Sequence, residues 1–267
     1  MTETSDDPVW DAIRAEAMEA IEKEPTLSSF LYAVILNHAC LEDALSFQLA
    51  AKLESVTLPA LTLRELVDEA FRNQPFIGED IREDIRAVRQ RDPACRMFCM
   101  PLLYFKGFQA LQAHRVAHYY WCQGRMHLAL FLQSRMSEVF AVDIHPAARI
   151  GKGIMIDHAT GVVIGETAIV GDNVSLLHAV TLGGTGKEWG DRHPKIHDGV
   201  MIAAGAKILG NVTVGEVCKI AAGAVVLQDM PPHTTVAGVP AKPVGSAREE
   251  VPAFEMNQTI AENGGDP

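Results

Sequence analysis

Cysteine is sparse and unpatterned in this sequence. The five residues, Cys40, Cys95, Cys99, Cys122 and Cys218, form no C-x-x-C pair, and one is left over from any pairing. That usage excludes a disulfide scaffold and is expected of a reduced, cytoplasmic protein. Basic residues are short too: 23 Lys and Arg face 34 Asp and Glu, for a formal net charge of −11. This argues against a nucleic-acid or anionic-membrane binder. The longest apolar run, Met97 to Phe105, spans nine residues and contains Pro101, far short of the roughly 20 that a membrane helix needs. Met1 to Asp7 is acidic, with neither a basic nor an apolar leader, so no export signal is expected.

Aromatics and glycine are scarce in opposite halves. Of 17 aromatic residues, 15 fall in the first 140, leaving Trp189 and Phe254; of 21 glycines, only Gly78, Gly107 and Gly124 precede the break. A shift of this size predicts two architectures, one with bulky core side chains and one of tight turns. The first, 1–140, reads as helical. Val9, Ile13, Ala17 and Ile21 recur at four-residue spacing among charged residues, as one helical stripe does. Pro25 ends that helix, and others are expected over 30–36, 41–53, 61–71, 77–88, 102–120 and 126–140, joined by short loops into a bundle.

Residues 141–245 carry an internal repeat. Ile144, Ile150 and Ile156 are six apart, and after a two-residue slip the step resumes at Ile164, Val170, Leu176 and Leu182. After an eight-residue excess it runs through Ile196, Ile202, Ile208, Val214, Ile220 and Val226. A period of six drifts against a helix and marks a parallel β-helix, with three hexapeptides, about 18 residues, per triangular coil. Glycine and alanine beside the anchors suit tight corners, and a narrow prism has no room for aromatics. The expected fold is a helical domain followed by a β-solenoid, with 246–267 as a flexible tail.

The register makes a map. His158 lies two residues past Ile156 and His178 two past Leu176, so the imidazoles stack on one face. Ala204 and Ala222, two past Ile202 and Ile220, continue the column and outline a groove that admits a long thin ligand such as a pantetheine arm. The excess forms a loop, 183–195, holding Arg192 and His193. It is not a phosphate loop, because Thr181 and Glu188 stand where that pattern needs glycine and a hydroxyl residue. Asp143 falls near the same corner as His158, one coil below. There it either orients the imidazole or caps the turn into the solenoid, and spacing leaves both open. A lone His158 would be structural by default; His178, Asp157 and His193 make it a candidate base. His114 with His118, and Cys95 with Cys99, read as helix faces rather than metal ligands.

Five segments together resemble serine O-acetyltransferases. They are Asp143-Ile144-His145-Pro146, Gly153 to Gly161 with its Asp157-His158-Ala159-Thr160-Gly161, Val180 to Lys187, Asp191-Arg192-His193-Pro194-Lys195, and Ala237 to Ala241. The helical half is similar to that family's N-terminal domain. The resemblance implies a left-handed β-helix that trimerises, active sites between neighbouring prisms, and helical domains joining two trimers into a hexamer. It implies acetyl transfer from acetyl-CoA to L-serine, giving O-acetyl-L-serine and CoA for cysteine biosynthesis, with feedback inhibition by L-cysteine and no metal.

On the matching positions, the resemblance makes His158 the general base and Asp143 its orienting partner. Asp92 and Asp157 hold the substrate ammonium. Arg192 and His193 hold its carboxylate, with His193 also among the catalytic residues. Gly184 offers a loop amide for an oxyanion, Ala204 and Ala222 line the pantetheine path, and Lys219 and Lys242 meet CoA phosphates. Without the resemblance Asp92, in Arg91-Asp92-Pro93, is only a helix-ending turn.

Many members of that family end in a tail whose terminal isoleucine enters cysteine synthase. Here the last residue is Pro267, with Ile260 seven residues earlier, so weak or absent binding to cysteine synthase is expected. Three other readings compete: a zinc-dependent β-helical carbonic anhydrase using His158, His178 and a loop histidine, an acyltransferase for a sugar or other hydroxyl, and a non-catalytic scaffold. The Arg192-His193 pair, two aspartates suited to an ammonium, and a base beside a small-residue groove favour the serine reading.

Overall fold

The computed structural model describes residues 7–186, 189–247 and 249–260. Its helical half runs α1 (Pro8–Lys23), α2 (Ser28–Leu31), α3 (Leu41–Leu53), α4 (Ala60–Asn73), α5 (Phe76–Arg91), α6 (Cys99–Tyr104), α7 (Lys106–Cys122) and α8 (Met126–Phe140). α1 starts where Asp7 accepts the Trp10 N–H at 3.2 Å with Pro8 in the first turn, and it stops before Pro25. In α5, Ile77, Ile81, Ile85 and Val88 are buried along one stripe while Glu79, Arg86 and Gln90 face water. Among the described residues no single helix is long and apolar enough to cross a membrane.

One helix expected over 102–120 is in fact two. The apolar pattern is continuous, but Phe105 is extended (φ −94°, ψ 103°) and separates α6 from α7. The break brings Gly107 against the solenoid, where a Cβ would lie 2.0 Å from the Ile156 carbonyl oxygen. No residue larger than glycine fits there.

The solenoid runs β1 (Val142–Ile144), β2 (Arg149–Ile150), β3 (Met155–Ile156), β4 (Val162–Ile164), β5 (Ile169–Val170), β6 (Ser175–Leu176), β7 (Thr181–Gly183) and β8 (Lys195–Ile196). It continues through β9 (Met201–Ile202), β10 (Lys207–Leu209), β11 (Thr213–Val214), β12 (Lys219–Ile220), β13 (Val225–Val226) and β14 (Thr234–Ala237), and β15 (Lys242–Ser246) returns antiparallel on β14. Every third strand stacks. The first sheet is β1-β4-β7-β10-β13, the second β2-β5-β8-β11, and the third β3-β6-β9-β12-β14-β15.

Each predicted anchor lies on another anchor. Ile144, Ile164, Leu182, Ile208 and Val226 form one column, Ile150, Val170, Ile196 and Val214 the second, and Ile156, Leu176, Ile202 and Ile220 the third. All are buried except Ile150, which is half-buried. At about 1.5–3 kcal/mol for each buried aliphatic side chain, these columns are the main cohesive term of the prism. The two-residue slip falls in the turn from β3 to β4, where His158 and Ala159 take left-handed φ of 56° and 59°. The excess bulges between β7 and β8.

The two halves meet through a buried ionic joint. Arg115 of α7 donates to Asp84 Oδ2 at 2.7 Å and to the Gly151 carbonyl at 2.8 Å, while Asp84 Oδ1 accepts the Ile154 N–H at 2.9 Å. Arg91, at the end of α5, reaches Ser175 Oγ at 3.1 Å and lies 4.6 Å over the Phe254 ring.

Phe254 belongs to the segment expected to be a flexible tail. Through Ile260 that segment instead lies on the third sheet. A single turn, α9 (Pro252–Glu255), is pinned by Ser175 Oγ donating to the Ala253 carbonyl at 2.9 Å, and Ala253 is fully buried. The polar composition concealed these few specific contacts. Pro267 lies outside the described residues.

Candidate active site

The turn after β3 is the centre of the site. Asp157, His158, Asp92 at the end of α5, and Tyr104, Phe105 and Lys106 at the α6–α7 break border a cavity of about 360 Å³. The helical half therefore supplies one carboxylate and most of the apolar wall. Asp92 Oδ1 accepts the Ala94 N–H at 2.8 Å in a helix-ending turn, and the residue also borders the cavity. Lys106 donates to Thr160 Oγ1, and Thr160 N–H binds the His158 carbonyl at 2.7 Å, so α7 clamps the turn that carries His158. A non-glycine residue at positive φ costs conformational energy, and such residues gather at functional turns.

The electrostatics follow from burial. Asp157 Oδ2 lies 3.5 Å from His158 Nε2. Desolvation pushes the Asp157 carboxyl above its usual range, His158 pulls it down, and Asp92 pushes it up again. Two carboxylates that repel each other across a cavity suit a bound ammonium. The His158 side chain is 72% exposed in the single chain.

Asp143 does lie one coil below this turn: β1 pairs with β4, Asp143 opposite Val163, and the Gly161 N–H binds the Ala141 carbonyl. Among the described residues, however, no hydrogen bond joins it to His158. Asp143 Oδ1 accepts from Gln133 Nε2 at 2.7 Å, and the carboxylate beside the His158 ring is that of Asp157.

The predicted column is present. Ring centroids of His158 and His178 are 5.7 Å apart and nearly perpendicular. The Gly205 N–H binds the His178 carbonyl and the Gly223 N–H binds the Ala204 carbonyl, so His178, Ala204 and Ala222 occupy successive rungs of one corner.

Arg192 and His193 lie at a different corner of the same chain, between the first and second sheets. His193 is buried against Gly165, where a Cβ would sit 2.1 Å from Nε2. Its Nδ1 accepts from the Thr167 N–H at 3.2 Å and contacts Thr167 Oγ1 at 2.9 Å, while that hydroxyl oxygen accepts the N–H groups of Arg192 and His193. The network assigns the proton of the neutral ring to Nε2, which is left as a donor. Burial first, then the Arg192 charge, lowers the His193 pKa. Arg192 is held by Glu166 at 2.6 Å. Nothing in the hexapeptide repeat marks Glu166 or Thr167. Gly184 stands beside this group, with Arg192 O and His193 Nε2 about it.

Two lysines expected at CoA phosphates part ways. Lys219 is 4% exposed in β12, its Nζ donating to Glu249 Oε1 at 3.1 Å and to the Thr259 carbonyl at 2.8 Å. It is a buried strut under the C-terminal segment rather than a free cation, because β12 turns it onto the third sheet. Lys242 is exposed on β15. His114 is fully buried and its pKa lies well below the usual value through desolvation, while burial pushes the Cys95 and Cys99 thiols up to about 11 and about 12. His114 and His118 share a face of α7, whereas Cys95 lies in the α5–α6 connection rather than on a helix with Cys99.

A prism of stacked hexapeptides with an imidazole at the foot of a small-residue column defines a hexapeptide-repeat transferase. A family model for the bacterial transferase hexapeptide (six repeats) matches residues 193–228. A second, described as serine acetyltransferase, N-terminal, matches residues 9–113. The serine acetyltransferase of Escherichia coli (strain K12) is 56% identical over 250 residues, 94% of this chain and 92% of that protein. A serine acetyltransferase solved in complex with cysteine superimposes with a TM-score of 0.93 at 54% identity, covering 95% of this chain and 98% of that one. One from Brucella abortus strain S19 in complex with coenzyme A gives 0.89 at 55% identity, covering 90% and 96%. The chain belongs to the serine acetyltransferase family.

Proposed function

We propose that this chain transfers the acetyl group of acetyl-CoA to the L-serine hydroxyl, with His158 as general base, and that L-cysteine inhibits it from the serine site. The observation that carries this reading is the cavity in which Asp92, Asp157 and His158 converge at the foot of the His178–Ala204–Ala222 column. The serine ammonium sits between the two aspartates, which puts its hydroxyl within reach of the imidazole. The hydroxyl oxygen attacks the thioester carbonyl carbon as its proton passes to His158. The oxyanion collapses, the C–S bond breaks, and the CoA thiolate takes the proton back from the imidazolium. A positioned base of this kind contributes typically about 10²–10⁴-fold. Asp157 is the carboxylate in reach to stabilise the imidazolium, and Asp143 is its proposed second partner.

Arg192 and His193 suit the serine carboxylate, the Nε2–H of His193 and the guanidinium both being donors. They belong to this site only if a neighbouring chain supplies them. Two observations support such a trimer. The two corners flank the same first sheet, so three prisms packed around an axis would set one corner against the other, and the His158 side chain is largely uncovered in the single chain. A hexamer through the helical domains and a cytoplasmic setting complete the proposal; all five cysteines are free thiols, which fits a reducing compartment. Cysteine carries the same ammonium and carboxylate as serine, which suits competition at one site, and a serine acetyltransferase has been solved in complex with cysteine.

The column is tested by Ala204→Trp and Ala222→Trp. Each is expected to weaken CoA binding at least tenfold by calorimetry, with secondary structure unchanged, because an indole fills the rung the pantetheine arm would occupy. Unchanged affinity in both variants would remove the column from the CoA path. Asp92→Ala is expected to raise the serine KM and the cysteine inhibition constant together, about tenfold, with a smaller change in the acetyl-CoA KM. If cysteine inhibition is untouched, Asp92 is a turn residue only.

A further inference from the structure

His178 has no part in the mechanism above, yet its placement is specific. Its backbone is fixed on both sides: the Gly205 N–H binds its carbonyl at 3.0 Å, and the next residue, Ala179, has left-handed φ of 57° and donates to the Thr160 carbonyl at 2.8 Å. The turn that carries His158 and the turn that carries His178 are thus hydrogen-bonded rung to rung. The His178 side chain makes no hydrogen bond among the described residues; its ring stands edge-to-face with His158, centroids 5.7 Å apart. It also lies between His158 and the alanine rungs, so a thioester reaching the base from the column passes it.

We propose that His178 is a positioning residue for His158, holding the ring edge-on at the foot of the column and competing with it for a single proton. The inference rests on His158 being the base. A like charge within about 4–6 Å disfavours the charged form of its neighbour, and the two ring centroids are 5.7 Å apart. A proton shared with His178 leaves His158 free more of the time as the pH falls.

The other charged and titratable groups around the pair come from every element packed there. Asp157 lies beside His158, and Asp92 at the end of α5 acts on Asp157. Tyr104 and Lys106 line the cavity from the α6–α7 break, and Lys106 is tied to Thr160. Lys207 of β10 donates to the Ala179 carbonyl. Burial raises the Tyr104 pKa further above the range where imidazoles titrate. His178 itself is among the groups that act on Asp157.

The test is the pH profile of kcat/KM for serine, read by thiol release from acetyl-CoA between about pH 5.5 and 8.5, where imidazoles titrate. It uses the full chain, His178→Gln and His178→Lys. Glutamine fills the rung without a titrating group. In His178→Gln the acid limb is expected to move to higher pH, so that the rate at pH 6 relative to pH 8 falls threefold or more, about half a pH unit. In His178→Lys, which keeps a cation on the rung, the limb is expected on the low-pH side of the glutamine variant. A His178→Gln profile that superimposes on the unmodified enzyme overturns the proposal. So does an identical displacement in both variants, because a merely structural role would not respond to the charge. His158→Ala separates the two claims. Full turnover in that variant defeats the base assignment itself, whereas an inactive His158→Ala with an unmoved His178→Gln profile defeats only the role of His178.

Discussion

His158→Ala is expected to lower serine-dependent turnover by about two decades or more while leaving the fold and CoA affinity intact. The side chain is 72% exposed in the chain, beside the His178 ring and Asp157, so its removal opens no cavity in the core. The neighbouring Ala159 already takes a left-handed φ of 59° in the same turn. Two further variants apportion the carboxylates. Asp157→Ala should combine a raised serine KM with lower turnover, since the residue faces both the ammonium and the imidazole. Asp143→Ala should lower turnover less than His158→Ala, because an orienting group does not itself carry the proton. Near-normal turnover in His158→Ala, measured with saturating serine and acetyl-CoA, would end the assignment of the base.

The largest stability effect is expected at the joint between the two halves. Asp84 is fully buried, and it accepts from Arg115, Gln112 and the Ile154 N–H. Desolvation raises its pKa, and the Arg115 charge acts against that rise. Asp84→Ala leaves the 6%-exposed Arg115 guanidinium without its nearer carboxylate; the longer ion pair to Asp80 at 3.3 Å and the Gly151 carbonyl at 2.8 Å remain. Breaking a buried pair in this way typically costs about 3–5 kcal/mol. The expected result is a large fall in the urea midpoint. Because Ile154 precedes β3, activity should fall at denaturant concentrations the unmodified enzyme survives. A midpoint shift worth less than about 0.5 kcal/mol would show that the joint is not a main tie.

The solenoid was legible because its register is a matter of counting. Once Ile156, Leu176, Ile202 and Ile220 share a column, the residues two positions on must share a corner, and His158, His178, Ala204 and Ala222 do. Helix positions were legible too, with α3 and α8 matching the expected bounds 41–53 and 126–140.

What escaped was everything decided by a partner rather than a period. The break at Phe105 interrupts a continuous apolar pattern and is fixed by the approach of Gly107 to Ile156, a tertiary contact; the only local hint was Gly107 itself. Lys219 looked like any surface lysine until Glu249 and Thr259 were placed over it. Glu166 and Thr167 sit at a corner whose outward residues obey no repeat, so their grip on Arg192 and His193 could not be counted out. Asp92 could be tied to the cavity by family resemblance alone, because its distance along the chain from Asp157 says nothing of their proximity.

Acetyl transfer to L-serine is tested most directly by one measurement. The full chain is mixed with acetyl-CoA and a panel of hydroxyl acceptors, with free thiol followed by a chromogenic disulfide and products read by mass spectrometry. The account predicts rapid thiol release with L-serine, one O-acetyl-L-serine formed per thiol, suppression by L-cysteine, and little release with sugars or without an acceptor. Thiol release that does not depend on serine, or that runs faster with a sugar hydroxyl, would contradict it.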